Sequence, residues 1–404
     1  MRKYFDGLPP QHRQRQRSFL GGENGGGSVS LGSISGRKGG LGVFCASDIP
    51  PQILLDLPPP PVHPGFTLKK KFCRAFAAAN IFLALLAFCA APVGAQALKK
   101  VPLPFSPVGL NSLPLFVARE AHIYEKNGID VDVIFIGASS ALFQAMLSGA
   151  ADMAGSGGPA VIANVLKGGD IIQVAATVPR FTQSVMTRAE IARPESLSGK
   201  KIGVSRLGTV THFALQTAID VYGLKNVTIL QMGGQPEEAA GLVNGTIDGA
   251  VVSPPYNFQL KARGFNELVT PADLSKGGGF ITNGIVAKKS AVEKDPDALL
   301  KLIKSVAQAT KVIATDREFT KKVMAKWMPV KEADLADRIA AFAAESFAKE
   351  PLVPEAAIRD ILKGMVQSNL VDAKAAAATP MSAYYDNRYV EELRRTGFFA
   401  QLWK

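Results

Sequence analysis

From residue 98 onward, short apolar runs alternate with longer stretches in which apolar residues recur every three or four positions. Residues 101–106 are apolar and lead into a turn at Pro107-Val108-Gly109. Ser112 followed by Pro114 reads as an N-cap and first turn, and the helix it opens is expected to run to a C-terminal cap at Gly128. Val131, Val133 and Phe135, alternating with Asp132 and Ile134, give a largely buried strand. A helix over 141–148 stopped by Gly149, a short strand around Met153, a helix over 159–167 and a strand over 171–177 follow. The theme then returns, with a strand over 201–205, a helix over 211–222 closed by Gly223, a strand over 227–231, a helix over 236–244 closed by Gly245, and a strand over 249–252. Strands alternating with helices of this length predict parallel βαβ units. Beyond Ala287 the pattern turns helical, with a helix from Asp295-Pro296 to Thr315 and others over 317–328, 331–345 and 354–368.

Two of these units align at a spacing of 96 residues: Gly149-Ala150-Ala151-Asp152-Met153-Ala154 against Gly245-Thr246-Ile247-Asp248-Gly249-Ala250. Each follows a helix and precedes a proline, Pro159 or Pro254. Helix–Gly–strand junctions are common in themselves. The alternative is a pair of α/β lobes of related topology.

The first 97 residues follow different rules. They hold 11 of the 46 basic residues, 4 of the 34 acidic ones and all three cysteines (Cys45, Cys73, Cys89), leaving 35 basic against 30 acidic, a net of +5, for the rest. The formal charge of +12 therefore belongs mostly to the leader and gives no ground for nucleic-acid binding. Residues 1–67, with a glycine run and Pro58 to Pro61, show no sustained periodicity and read as disordered. Residues 68–97 have the anatomy of a secretory signal: Lys69, Lys70, Lys71 and Arg74, an apolar run from Ile81 to Ala91, then Ala95-Gln96-Ala97 for cleavage. That run is shorter than the roughly 20 residues of a spanning helix, and bulky Phe88 before Cys89 argues against a lipoprotein. Because a signal belongs at an N-terminus, 1–67 is expected to be an over-extended reading frame, with initiation at Leu68 or Val62.

The search for catalytic motifs is mostly negative. There is no G-x-x-x-x-G-K-[ST], no G-x-G-x-x-G after a strand and no H-E-x-x-H. Beyond residue 97 only His122 and His212 are present and no cysteine, too few for a histidine or thiolate metal site. Ala154-Gly155-Ser156-Gly157-Gly158 comes near the G-x-S-x-G nucleophile elbow, but one serine without a convincing base is weak support for a triad. What remains is a set of strand-to-helix loops rich in Gly, Ser, Thr and Pro. They carry Ser106 and Asn111; Ser139; Gly157 and Gly158; Thr209, Thr211 and His212; and Ser253 and Tyr256. Ligands of parallel α/β sheets sit at the carboxyl ends of strands, where helix starts offer unpaired N–H groups suited to an oxyanion. Residues 209–212 make the best such cradle, with two hydroxyls beside several amides. For any single Ser or Thr, ordinary capping explains the residue as well.

The segment Leu115-Phe116-Val117-Ala118-Arg119-Glu120 leading to Glu125-Lys126-Asn127-Gly128-Ile129-Asp130-Val131, the two Gly-x-x-Asp-x-Ala sequences, and Leu197-Ser198-Gly199-Lys200-Lys201-Ile202-Gly203-Val204 carry a resemblance. Residues 98 to about 380 resemble the periplasmic substrate-binding proteins of bacterial ABC importers, of the nitrate/sulfonate/taurine group, which is similar to the thiamine-pyrimidine-precursor-binding proteins. The resemblance implies an α/β, two-lobed periplasmic binding protein fold. Each lobe would be a mostly parallel sheet flanked by helices, with lobe one over 98–182, lobe two with crossing strands over 183–281, and a return to lobe one with C-terminal helices over 282–404. It implies a monomeric, exported binding protein without cofactor or metal, which hands a small, anionic solute to a separate permease and ATPase. Carried onto this chain, the anion falls at residues 209–212, with Arg180 at a lobe crossing and Asn283 at the return as further candidates. Phe181 and Tyr256 are candidates for stacking, each equally explained by packing. Two rivals are a pyrimidine-synthase-like enzyme of the same fold, disfavoured by the absence of cysteine after residue 97 and by the export signal, and a ligand-sensing domain, for which no DNA-reading module is present.

Overall fold

The computed structural model describes residues 97–404 apart from 107–108, 137–138, 329 and 331, and the side chains of 139 and 140 are not described. The leader and the signal segment read in 1–96 lie outside the described residues. Among the described residues ten strands form two five-stranded sheets. β1 (Lys99–Phe105), β2 (Ile129–Phe135), β3 (Met153–Ser156) and β4 (Ile171–Val178) build the first; β5 (Ser184–Thr187), β6 (Lys201–Val204), β7 (Thr228–Gln231), β8 (Gly249–Val252) and β9 (Asn266–Val269) build the second; β10 (Asn283–Lys288) returns to the first. The spatial orders are β2-β1-β3-β10-β4 and β7-β6-β8-β5-β9. In each sheet one strand, β10 or β5, runs antiparallel to its neighbours, and it is the strand that has just crossed from the other lobe. Each lobe is thus a mostly parallel sheet flanked by helices, and the two share one topology.

That symmetry gives the repeat at 96 residues a physical meaning. β3 and β8 are the central strands of their sheets, and each is entered through a left-handed glycine, Gly149 at φ 87° and Gly245 at φ 73°. Asp152 pairs with Lys288 at the end of β10 at 2.9 Å, and Asp248 pairs with Arg188 just beyond β5 at 2.8 Å. The same acid therefore ties the foot of each central strand to the foot of its antiparallel neighbour. Ala154 and Ala250 are fully buried in the strands above. The Gly-x-x-Asp-x-Ala sequences are a scaffold device at the end of each sheet away from the carboxyl ends of β3 and β8.

Two features depart from the sequence reading. The first helix stops at Glu120 and restarts at Ile123–Lys126, because His122 adopts φ 54° and breaks the ladder that the apolar spacing alone would carry to Gly128. Ser112 stands at the N-cap position without a capping bond from its side chain. Elsewhere the C-terminal helices form as read, the longest being Pro296–Thr315, capped by the Asp295 side chain on the amide of Ala298. Its apolar stripe, Leu299, Leu302, Ile303 and Val306, packs in one cluster with Leu103, Phe116 and Val131 of the first lobe. Helix Glu355–Gln367 instead joins the cluster of Phe213, Leu215 and Val251, so the C-terminal region reaches both lobes. The outer edge of β4 is closed by later chain, with Ala176 N–H donating to Pro351 and Gln173 N–H to Tyr384, which removes an unpaired edge. Among the described residues no helix is long and apolar enough to cross a membrane.

Candidate functional site

The carboxyl ends of β1, β3, β6 and β8 and the two crossings, 179–183 and 270–282, gather an unusual set of buried residues. Ser106, Asn111, Thr182, Gln183, Thr211, His212, Ser253, Thr282 and Asn283 are each at most 7% exposed. All are polar and none carries a fixed charge. Burying so many hydrogen-bonding groups is costly unless each finds a partner, and the partners define three groups.

The first group belongs to lobe one and the crossings. Thr182 Oγ1 donates to Asn111 Oδ1 at 3.2 Å, and Asn283 Nδ2 donates to the Asn111 carbonyl at 2.9 Å. Asn283 sits where β10 bulges against β4, at a glycine, Gly284, whose position leaves no room for a Cβ beside the Ala175 carbonyl. Ser106 closes β1 by donating its amide to Gly155. The second group is the junction of β3 with the returning chain. Gly158 N–H donates to Ile281 at 3.0 Å, and a Cβ on Gly157 would lie 2.7 Å from the Thr282 carbonyl. The two glycines thus admit the crossing strand, and the amide of Gly158 is committed to it. Ser156 is fully buried and its Oγ has no partner, the opposite of an exposed nucleophile.

The third group is the lobe-two wall. Helix Val210–Tyr222 starts after β6, and its first amides, at Val210, Thr211 and His212, have no acceptor within the helix. The hydroxyls beside them are already engaged. Thr209 Oγ1 donates to the Arg206 carbonyl at 2.7 Å, Thr211 Oγ1 accepts from Ser205 N–H at 2.8 Å, and the two hydroxyls lie 3.1 Å apart. With the Thr209 hydrogen spent on Arg206, the Thr211 hydroxyl donates to Thr209, and neither is spare. His212 Nδ1 accepts from Gly208 N–H at 3.3 Å, which leaves the proton on Nε2. Burial pushes its pKa below 6.5, so the ring is neutral at pH 7 and Nε2–H is a donor. Across the same strand ends, Ser253 N–H and Oγ both donate to Gln235 Oε1, and Tyr256 N–H donates to the Ser253 carbonyl.

The loops of the two lobes lie against each other, since the Cβ position of Gly109 is 3.7 Å from the Pro254 carbonyl. Arg180 is exposed; its Nε donates to the Ser346 carbonyl, while its own carbonyl accepts from Thr282 Oγ1 at 2.6 Å. Phe181 packs instead of offering a face, stacked on Phe280 of the second crossing at 4.1 Å. Helix Ser139–Leu147 begins at Ser139, at the carboxyl end of the first sheet after β2. Sequence reasoning missed Thr182, Gln183, Gln235 and Glu238. All four lie outside the Gly- and Ser-rich loops that drew attention, and only the antiparallel placement of β5 brings 182–183 to the strand ends. Among the described residues no three His, Cys, Asp or Glu side chains stand together as metal ligands.

Two α/β lobes of one topology, exchanging one antiparallel strand each and enclosing buried polar groups between their strand ends, define the periplasmic binding protein fold. The chain belongs to the NMT1/THI5-like family, whose model matches residues 110–318. It is 27% identical over 239 residues to the taurine-binding periplasmic protein of Escherichia coli K12, covering 58% of this chain and 72% of that one. The periplasmic nitrate-binding protein of Synechocystis superposes with a TM-score of 0.60 at 14% identity, over 74% of this chain and 89% of its own. The ligand-binding component of an ABC-type import system from Staphylococcus aureus, solved with zinc bound, gives 0.60 at 14% identity, over 73% and 98%.

Proposed function

We propose that this chain is an exported solute-binding protein that captures a small anionic solute in the periplasm and delivers it, unchanged, to an ABC importer whose permease and ATPase are separate chains. The observation that carries the reading is the cluster of buried, uncharged polar side chains where the strand ends of two like-folded lobes face each other. Such a cluster fits a small polar ligand held by many neutral hydrogen bonds. The anionic class is supported by the start of helix Val210–Tyr222, where three amides and the neutral Nε2–H of His212 are donors with no acidic residue in the first turn, and by the taurine and nitrate ligands in the names of two relatives. The family also includes synthases. Ser156, in the nucleophile-elbow-like turn, is fully buried and not presented as an exposed nucleophile.

Thr209→Asp tests the anion site. It places a negative charge at the N-cap, where aspartate is a good capping residue, so the helix is kept while an anion is repelled. Binding of the anion identified by thermal-shift screening is expected to weaken by at least about tenfold, roughly 1.4 kcal/mol, with the unliganded melting temperature within a few degrees of wild type. Unchanged affinity would move the anion elsewhere in the cleft.

A further inference from the structure

Glu238 is the one carboxylate among the described residues with no exposed surface. It lies in the first turn of helix Gln235–Val243, whose carboxyl-end position beside β6 and β8 puts it directly behind the lobe-two wall. Ser205 Oγ donates to its Oε1 at 2.5 Å, the backbone of Val251 lies against the carboxyl, and Oε2 has no partner. The same Ser205 donates its amide to Thr211 Oγ1, which is joined to Thr209 and through it to the Arg206 carbonyl. A single chain of hydrogen bonds therefore runs from the buried acid to the start of the helix offered to the solute.

We propose that Glu238 is a positioning residue: by holding Ser205 it fixes the loop 205–212, and with it the direction of the helix-start amides. That the amides then meet the solute rests on the function proposed above; that Glu238 holds the loop does not. Burial raises the pKa of its carboxyl well above 4.5, against the lowering effect of the Ser205 hydrogen bond and the Val251 backbone, and adjacent Glu237 adds to the rise. β8 carries no titratable side chain, β6 only Lys201 at its far, exposed end, and the neighbouring helix Tyr256–Ala262 only Tyr256 and Lys261, the latter paired with Glu267. No cation offsets the burial. A raised pKa favours the uncharged form, which would not repel an anion in front of it.

The test is amide hydrogen exchange of the purified protein without any solute. Glu238→Leu removes the acceptor for Ser205, Ser205→Ala removes the donor, and Glu238→Gln keeps an acceptor oxygen in the same place. In the Leu and Ala variants the protection of the hydrogen-bonded loop amides, those of Ser205, Leu207, Gly208 and Thr209, is expected to fall at least about tenfold, while amides of β1 in the other lobe stay as in wild type. Glu238→Gln is expected to restore wild-type protection. Loop protection unchanged in Ser205→Ala, or lost in Glu238→Gln to the same extent as in the Leu variant, would overturn the assignment. Titration of the same variants with taurine and nitrate reads the second half separately: whichever binds wild type weakens with the Leu variant and recovers with Gln. Binding of neither contradicts the two relatives' solutes as the ligand of this chain and leaves the exchange result standing.

Discussion

Thr211 shows how a site residue is committed before any solute arrives. Its oxygen is the acceptor for Ser205 N–H, so its hydroxyl shapes the loop and its backbone amide is what remains for a ligand. The sequence made Thr209 and Thr211 conspicuous, and it could not tell hydroxyl from amide as the donor, because the partners lie at Ser205 and Arg206 in a turn whose geometry no spacing rule fixes. Glu238 was silent for a similar reason: an acidic residue in a first helical turn is ordinary, and only its burial makes it unusual. Two titrations at this scale oppose each other. His212 has a lowered pKa, so its contribution to stability is present above 6.5 and lost as pH falls below it. Glu238 has a raised pKa, so stability is lost as pH rises from 4.5 toward its folded value. Glu238→Gln removes only the second slope. Its stability relative to wild type is expected to climb with pH above 4.5, at no more than about 1.4 kcal/mol per pH unit; a difference that stays constant across pH 5–8 would show that the folded-state pKa is not raised.

At the scale of elements, most of the parallel strands and all the long C-terminal helices were legible, since their apolar spacing and glycine stops act locally. The antiparallel strands were not: β5 and β10 are buried on both faces, and only the lobe exchange explains why they pair where they do. The equivalent ion pairs at the feet of the two lobes are nevertheless unequal. Asp248 is 23% exposed and also accepts from Lys201 N–H at 2.9 Å, whereas Asp152 is 64% exposed. Asp248→Ala is therefore expected to cost about 1–3 kcal/mol, leaving a backbone donor unpaired, against about 0–1 kcal/mol for Asp152→Ala. Denaturant unfolding of the two variants decides it, and equal losses would contradict the structural role given to Asp248.

For the whole molecule, the two tryptophans lie away from the strand ends. Trp327 stacks on Phe116 at 4.8 Å and donates to Glu120, and Trp403 donates to the Lys349 carbonyl between two lysines. Solute binding is expected to change tryptophan emission only slightly, and a large quench would place the ligand against the C-terminal helices. The central claim is stoichiometric capture of an anion without turnover. Isothermal titration of the purified protein with taurine, other aliphatic sulfonates, nitrate, carboxylates and a pyrimidine, followed by recovery and mass analysis of whatever binds, tests it most directly. The account predicts one-to-one saturation by a member of the anionic set, recovered chemically unchanged; binding confined to the neutral pyrimidine, or recovery of a product, would contradict it.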